Sequence, residues 1–531
     1  MRKFSSYGPI DTELHYYAPR TSLIDQACQQ LLGENPAKGG HYITVWAPRQ
    51  SGKTWVMQEA LFRLQKQSPR FDVGKLNLQH LKDAPLMEAL QVIAAEIAKV
   101  VNKPVARPES LADFEAIFSR TVLDKPLILI MDEFDALTND AISGVAGVLR
   151  NIYVRRRQEA DKPTWEKEYL LHSVALIGVR AVLGIENETG SPFNVQRSLH
   201  IPNLTPAEVE GMFRWYEAES GQAVEQTVIE RVFYETQGQP GLVGWLGELL
   251  TETYNQQAQA PLTPALFAEV YAAALKLLPN NNILNIVSKA KQQPHRQLVL
   301  ELFKTGVQIP FAYDDPSINF LYTNGVIAAV QEGKTDYFVK FANPFVQKRL
   351  FNYFAREIFP NPGVLYDPFA DLQDTITDES LHIKNLMRRY ELYLRSNRNW
   401  LFRNAPRRKT DDRLFEAVYH FNLYMYLMQF LQSYDGSVTP EFPTGNGKLD
   451  LLIYYAGRIY GLEVKSFLNQ REYRKALDQA AHYAQQLAIT EIALVLFVDH
   501  VDDANRQKFE VIYNDTATGV IVTPILVETG T

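Results

Sequence analysis

Residues 41–65 read as a buried strand, a short loop and a helix, and that order commits the surrounding chain to a sheet built with crossover helices. The strand is His41 to Trp46, the loop is Ala47-Pro-Arg-Gln-Ser-Gly-Lys-Thr54, and the helical stretch is Trp55 to Gln65. Loop amides and a helix N-terminus make a natural cradle for an anion, and Lys53 adds a cation beside it. Further along, Pro126-Leu-Ile-Leu-Ile-Met-Asp132-Glu133-Phe-Asp135 opens on an unbroken apolar run, as a central parallel strand buried on both faces requires. Its acids fall at the strand's C-terminal end. A third strand, Ser173 to Gly178, ends in Val179-Arg180.

The loop follows the pattern G-x-x-x-x-G-K-[ST] except at its first position, where Ala47 stands in place of glycine. That glycine serves the backbone turn, so the departure is mild. Together these elements resemble AAA+ and related P-loop ATPases. The resemblance implies that Pro48, Arg49, Gln50, Ser51 and Gly52 surround the phosphates of ATP while Lys53 reaches the β and γ groups. Thr54 and Asp132 would hold Mg²⁺, Glu133 would polarise the attacking water, and Arg180 would sense the γ-phosphate. Asp135 reads as a cap for a helix beginning at Ala136. Arg197 has two readings, a cationic finger for a neighbouring subunit's nucleotide or a surface arginine.

Leu204-Thr-Pro-Ala-Glu predicts a helix start with Thr205 as cap and Pro206 in the first turn. Gln237-Gly-Gln-Pro-Gly-Leu-Val243 resembles the Gly-x-Pro element of archaeal-type and STAND ATPases, whose proline packs on the nucleotide base, so Pro240 joins the nucleotide set. Tyr16-Tyr-Ala-Pro-Arg20 resembles the segment that packs on adenine in the same group. Residues 294–354 suggest a compact winged helix: helices at Gln297 to Phe303 and Ser317 to Asn324, then a hairpin around Glu332-Gly-Lys334. Such a module binds DNA or packs on the nucleotide domain as a lever. Pro360 to Pro368 reads as a linker.

The second chemical centre lies in Gly445 to Lys465. Asp450 begins an apolar run to Tyr455, Ala456-Gly457-Arg458 turns the chain, and Ile459 to Val464 returns with Glu463 followed by Lys465. Alternation places Glu463 and Lys465 on one face with Val464 opposite. Two hard carboxylates beside an ammonium suit a divalent cation, a water and a phosphate. The pattern resembles the PD-(D/E)XK nuclease superfamily. Glu416 in the helical stretch 414–431 corresponds to an acid on that family's first core helix, and Gln479 with Tyr483 resembles its Gln-x-x-x-Tyr element. Leu449 departs from the proline common before the acid. By this resemblance Asp450, Glu463 and Glu416 bind metal, Lys465 orients or helps deprotonate water, and Gln479 belongs to the catalytic set. A solvated polar face, or a nuclease fold without chemistry, gives the same residues a blander meaning.

Arg388-Arg389 and residues 403–413, centred on Arg407-Arg408-Lys409, form the densest basic stretch, either a phosphate-positioning surface or a solvated segment. Arg155-Arg156-Arg157 reads as a helix end facing solvent or a subunit. A chain of 531 residues with 46% hydrophobic composition holds several cores. One cysteine, Cys28, excludes a disulfide framework and a multi-cysteine zinc site. A net charge of −7 confines any DNA contact to local patches. The sequence shows no apolar run long enough to cross a bilayer, so a cytoplasmic location without membrane contact is expected.

The resulting expectation is an α/β multidomain chain. It comprises a P-loop AAA-like ATPase core (1–202), a helical lid (203–278), a winged helix (279–359), a linker and helical segment (360–410) and a PD-(D/E)XK restriction-endonuclease-like domain (411–531). Similar fusions include bacterial and archaeal proteins associated with defence against foreign DNA. The expected activity is ATP-regulated DNA cleavage with Mg²⁺, or Mn²⁺ at the nuclease site, in a homo-oligomer whose partners are ATP, DNA and a protein partner or trigger. The alternatives are a DNA-binding switch that does not cut and a signalling ATPase.

Overall fold

The computed structural model describes residues 1–6, 8–178, 197–255, 260–303, 308–408, 414–441, 449–467 and 469–530, with the backbone alone at 449–450. The chain divides into two compact units, Met1–Lys276 and Leu277–Thr531.

The first unit is built on strands β1 (Tyr42–Trp46), β2 (Asp72–Asn77), β3 (Leu127–Asp132), β4 (Leu171–Gly178) and β5 (Arg197–His200), ordered β2-β3-β4-β1-β5 and parallel throughout. Alternation along β3 explains its continuous apolar sequence. Ile128 and Ile130 join Ile43 and Val45 under helices α1 (Thr21–Leu32) and α2 (Lys53–Gln67). Leu127, Leu129 and Met131 pack on the opposite face under α3 (Leu86–Val101), α4 (Leu111–Ala116) and α5 (Asn139–Gln158). Every residue of β3 is therefore buried. Helices α6 (Pro206–Ser220), α7 (Gln226–Thr236), α8 (Pro240–Glu248) and α9 (Pro264–Lys276) follow. Helix α6 starts as expected: Thr205 Oγ1 accepts from Glu208 N at 3.2 Å, Glu208 Oε2 accepts from Thr205 N at 2.8 Å, and Pro206 opens the helix.

Two sequence expectations need correction here. Asp135 does not cap a long helix, because it sits inside a one-turn 3-10 segment, Phe134–Ala136, and α5 begins later with Thr138 as its cap. Arg156 is not solvent-facing. The 3.6-residue period puts it on the same side as Leu149 and Ile152, where it is 5% exposed and donates to Thr164 Oγ1 at 2.6 Å and to the Tyr169 carbonyl.

The second unit opens with helices α10 (Asn281–Ala290), α11 (Arg296–Glu301) and α12 (Pro316–Thr323), a hairpin of β6 (Ile327–Glu332) and β7 (Asp336–Phe341), and α13 (Pro344–Ile358). A two-residue strand pair, β8 (Ile376–Thr377) with β9 (Ser380–Leu381), precedes helices α14 (Ile383–Leu401) and α15 (Glu416–Gln432). A mixed sheet then follows from β10 (Ser437–Glu441), β11 (Leu449–Tyr455), β12 (Arg458–Ser466), β13 (Glu491–Val498), β14 (Tyr513–Asn514) and β15 (Ile521–Glu528), with helices α16 (Gln470–Gln486) and α17 (Asp503–Phe509) between its later strands. Its order is β10-β11-β12-β13-β15-β14. The β11–β12 turn carries Ala456 at φ 49 and Gly457 at φ 71, the twist that a two-residue hairpin favours.

Register separates the two faces of this sheet. Gly461, Glu463 and Lys465 lie opposite Ile492, Leu494 and Leu496, which pack under α16. Phe497, on the other face, meets Tyr390 of α14 and Tyr419 of α15. Helix α14 is tied along β15: Arg388 donates to the Leu526 carbonyl at 2.9 Å and Glu391 accepts from Glu528 N at 3.1 Å. Arg388 also pairs with Glu391 and Glu510, while Arg389 pairs with Asp374 at 2.6 Å. The phosphate-positioning reading of these two arginines is thereby corrected, since both guanidinium groups are engaged within the fold.

Candidate functional sites

The loop after β1 lies where an open parallel sheet offers its strand ends to a ligand. Gln50 at φ 57 and Gly52 at φ 89 turn it, and α2 starts immediately afterwards with Lys53. Lys53 Nζ donates to the carbonyls of Ala47 and Pro48, both at 2.8 Å, and Ser51 Oγ donates to Pro48 at 2.8 Å. Across the site Thr54 Oγ1 donates to Asp132 Oδ1 at 3.3 Å, so the hydroxyl and carboxylate form a hard oxygen pair that fits Mg²⁺. Lys75 Nζ, from β2, stands 3.4 Å from the other Asp132 oxygen. Glu133 holds a left-handed backbone at φ 55 directly past the strand end. Burial, then Asp135 and Asp132, push its carboxyl above the usual range, and burial pulls the Lys53 ammonium down to about 8.

Arg49, Gln50, Ser51, Gly52, Lys53, Thr54, Asp132, Glu133 and Pro240 line one cavity of about 500 Å³. Pro48 does not line it and contributes its carbonyl to the loop's internal bonds. Arg180 lies outside the described residues. Arg197, on edge strand β5, pairs with Glu34 at 2.9 Å. Leader residues Ser5, Ser6, Gly8, Pro9 and Ile10 reach the cavity, whereas Tyr16 is buried against Phe4, Trp215 and Tyr216. The adenine-packing expectation therefore moves off Tyr16. Arg20 is likewise structural, donating to Pro202 at 2.6 Å and Asn203 at 2.7 Å.

The start of α8 docks directly on the phosphate loop. Gln239 Nε2 donates to Arg49 O at 3.1 Å, and Gly241 N donates to Gln50 O at 3.1 Å. A Cβ at position 241 would stand 2.4 Å from the Gln50 side chain, so only glycine permits this approach. Gly238, at φ 68, would place a Cβ 1.9 Å from the backbone oxygen of Leu204. Gly238→Ala is expected to cost about 1–3 kcal/mol, read as a lowered unfolding midpoint, because neither φ nor the facing carbonyl can yield cheaply. An unchanged midpoint would show that this connection relaxes freely.

In the second unit Glu463 is 3% exposed; one of its oxygens pairs with Lys465 Nζ and the other, Oε2, has no hydrogen-bond partner among the described residues. Lys465 in turn donates to Gln479 Oε1 at 2.8 Å, so α16 fixes the ammonium against the carboxylate. An unpaired buried carboxylate oxygen is costly. It fits a site for a cation. Asp450 pairs in backbone register with Glu463 on one side and Glu441 on the other, and its side chain lies outside the described residues. Among the described residues no group of three or more His, Cys, Asp and Glu is placed to hold a metal ion.

Glu416 opens α15, 3.7 Å from the Nε2 of a fully buried His420 that burial keeps below its usual pKa. It lines a cavity of about 860 Å³ at the ends of β12 and β13, together with Ser466, Phe467, Phe497 and four arginines, Arg398, Arg403, Arg407 and Arg408. Glu463 and Lys465 do not line that cavity. Lys409 to Arg413 lie outside the described residues.

A family model described as an AAA-like domain matches residues 5–276. The chain belongs to this family. Its first unit is accordingly an AAA-like P-loop ATPase domain on a parallel α/β sheet, and ATP is the ligand its loop is built to hold. No curated protein matches the chain. Among solved structures, a Walker-type ATPase of Pyrococcus abyssi is 12% identical, with 66% of this chain and 98% of that one covered at a TM-score of 0.42. The Aeropyrum pernix ORC1 protein in complex with DNA is 14% identical over 63% and 92% at 0.34. The Thermotoga maritima RuvB Holliday junction branch migration motor is 13% identical over 59% and 90% at 0.35. These likenesses say nothing about substrate or partner. Among the described residues no helix is long and apolar enough to cross a membrane.

Sequence reasoning missed three contributors to the AAA-like site: Lys75, Gln239 and Gly241. Lys75 gives no local signal, being one lysine in a strand. The second glycine of Gly238-Gln-Pro-Gly241 was a usable sign, since paired glycines flanking a proline often mark close backbone approach.

Proposed function

We propose that this AAA-like ATPase is an ATP-regulated, divalent-metal-dependent DNA nuclease, with ATP turnover at the phosphate loop and phosphodiester hydrolysis at the β11–β12 hairpin. The observation that carries the nuclease half is the Glu463–Lys465–Gln479 array: a buried carboxylate with one oxygen on an ammonium and the other unpartnered, on the strand beside Asp450.

In this reading Asp450 and Glu463 would hold the cation, while Glu416, expected to join them, instead lines the adjoining arginine-bearing cavity at the start of α15. A Mg²⁺ or Mn²⁺ bound by Asp450 and Glu463 would supply charge neutralisation at the scissile phosphate. Lys465, held by Gln479, orients the attacking water and faces the phosphate. Arg398, Arg403, Arg407 and Arg408 give the adjoining cavity the positive lining that a nucleic-acid backbone needs in a chain of net charge −7. The helices and hairpin at 281–358 act as a winged-helix module beside this domain. At the other centre Lys53 and the loop amides grip the phosphates, Thr54 and Asp132 hold Mg²⁺, Glu133 accepts the water's proton, and Pro240 borders the nucleotide.

Incubation of purified protein with plasmid in Mg²⁺, in Mn²⁺ and in excess chelator tests the nuclease half. Nicking or linearisation is expected with either metal and absent in chelator. Intact plasmid under every condition, including added ATP, would overturn it. For the ATPase half, Lys53→Ala is expected to weaken ATP binding about 10- to 100-fold in calorimetry, the worth of one charge-assisted phosphate contact. Equal affinity would remove Lys53 from its assigned place.

A further inference from the structure

Strand register brings a third acid to the hairpin site. Glu441 pairs directly with Asp450, and Asp450 pairs directly with Glu463, so three acidic positions stand in one row across β10, β11 and β12. Residues directly opposite one another in antiparallel strands share a face, with Cβ atoms about 5 Å apart. Glu441 therefore stands one strand from Asp450 and two strands from Glu463, on the face where Glu463 buries an oxygen without a partner.

Glu441 is held by a residue from outside the sheet. Lys348, on α13, is 1% exposed in its side chain and places Nζ 2.8 Å from Glu441 Oε2. A lysine so deeply buried has no water to turn to, so its charge stays committed to acceptors within the fold. Helix α13 also packs on the nuclease-like core through the rings of Phe351 and Phe354 against Phe421. The lysine thus arrives on an element fixed to that core but belonging to the helix-and-hairpin module that precedes it.

We propose that Glu441 is a reserve acid of the hairpin metal site and that Lys348 is a positioning residue clamping it away from the cation. The inference rests on the metal-site reading of Asp450 and Glu463. With the clamp in place the cation meets Asp450 and Glu463; with Lys348 neutralised, a third hard oxygen comes within reach and the cation is bound more tightly. Any displacement of α13 would then change the carboxylate count at the site, which gives the module a route to the metal that does not require it to touch DNA.

Titration of the full chain with Mn²⁺, without nucleotide, followed by electron paramagnetic resonance of the free ion, tests this directly. Lys348→Met is expected to lower the Mn²⁺ Kd at least about threefold, Glu441→Gln alone to leave it within about twofold of wild type, and the double variant to return to the wild-type value. Lys348→Arg, which keeps the clamp, should also match wild type. A Lys348→Met protein with unchanged affinity, or a gain that survives in the double variant, would overturn the proposal. If Lys348→Met does not fold, Lys348→Gln takes its place, and a tenfold loss in Glu441→Gln would show Glu441 already on the metal and equally overturn the clamp. Failure of the underlying reading looks different: Mn²⁺ binding in wild type would then be absent or indifferent to Glu463→Gln.

Discussion

Glu463→Gln is expected to lower metal-dependent plasmid cleavage by at least about 10³-fold while ATP turnover stays near wild type. The substitution keeps the size of the side chain and an oxygen that can accept from Lys465, whose ammonium also donates to Gln479. What it removes is the negative charge that would hold a cation. Loss of a metal ligand costs several kcal/mol of transition-state stabilisation, and about 4 kcal/mol corresponds to a factor near 10³. Cleavage at the wild-type rate would mean that the unpartnered Glu463 oxygen serves no metal, and the array would then be a buried ion pair inside an inert fold.

Glu133→Gln is expected to slow ATP hydrolysis by about 10²- to 10⁴-fold and to leave ATP binding intact, as removal of a general base does. Glutamine tolerates the same left-handed backbone about as well as glutamate, so the strand end should not move. The carboxyl that is lost sits among Asp132 and Asp135 and is pushed by burial toward its protonated form, which makes it a stronger base than an exposed glutamate. Phosphate release against nucleotide binding, measured on the same preparation, separates the two effects. Hydrolysis at the wild-type rate would assign the water to another residue.

The phosphate loop was legible because its residues are close in sequence, and so was the pairing of Glu463 with Lys465 on one strand face. The loop 47–54 and the acids after β3 carry their own strand and helix context, and Glu463 with Lys465 needs only the alternation of a strand. Residues brought in by tertiary packing gave no such sign. Lys75 reaches Asp132 across the sheet, Gln239 and Gly241 reach the loop from a helix nearly two hundred positions later, and Glu441 joins the acids only through strand register. Charge clusters misled for the same reason. Arg156, Arg388 and Arg389 read as surface from composition, yet helical phase and nearby acids turn each of them into the fold. Asp135 misled in another way, since a capping residue type does not say which of two successive turns becomes the helix.

Control of one centre by the other requires that ATP favour one arrangement of the chain over another, by an amount that a change in DNA cutting would report. The direct measurement is plasmid cleavage at fixed Mg²⁺ by wild type, Lys53→Ala and Glu133→Gln, each with and without ATP. Cleavage by wild type is expected to change on adding ATP, Glu133→Gln to hold the ATP-bound level persistently, and Lys53→Ala to stay at the nucleotide-free level whatever is added. Equal cleavage by all three proteins in every condition would contradict an ATP-regulated nuclease and leave two independent activities on one chain.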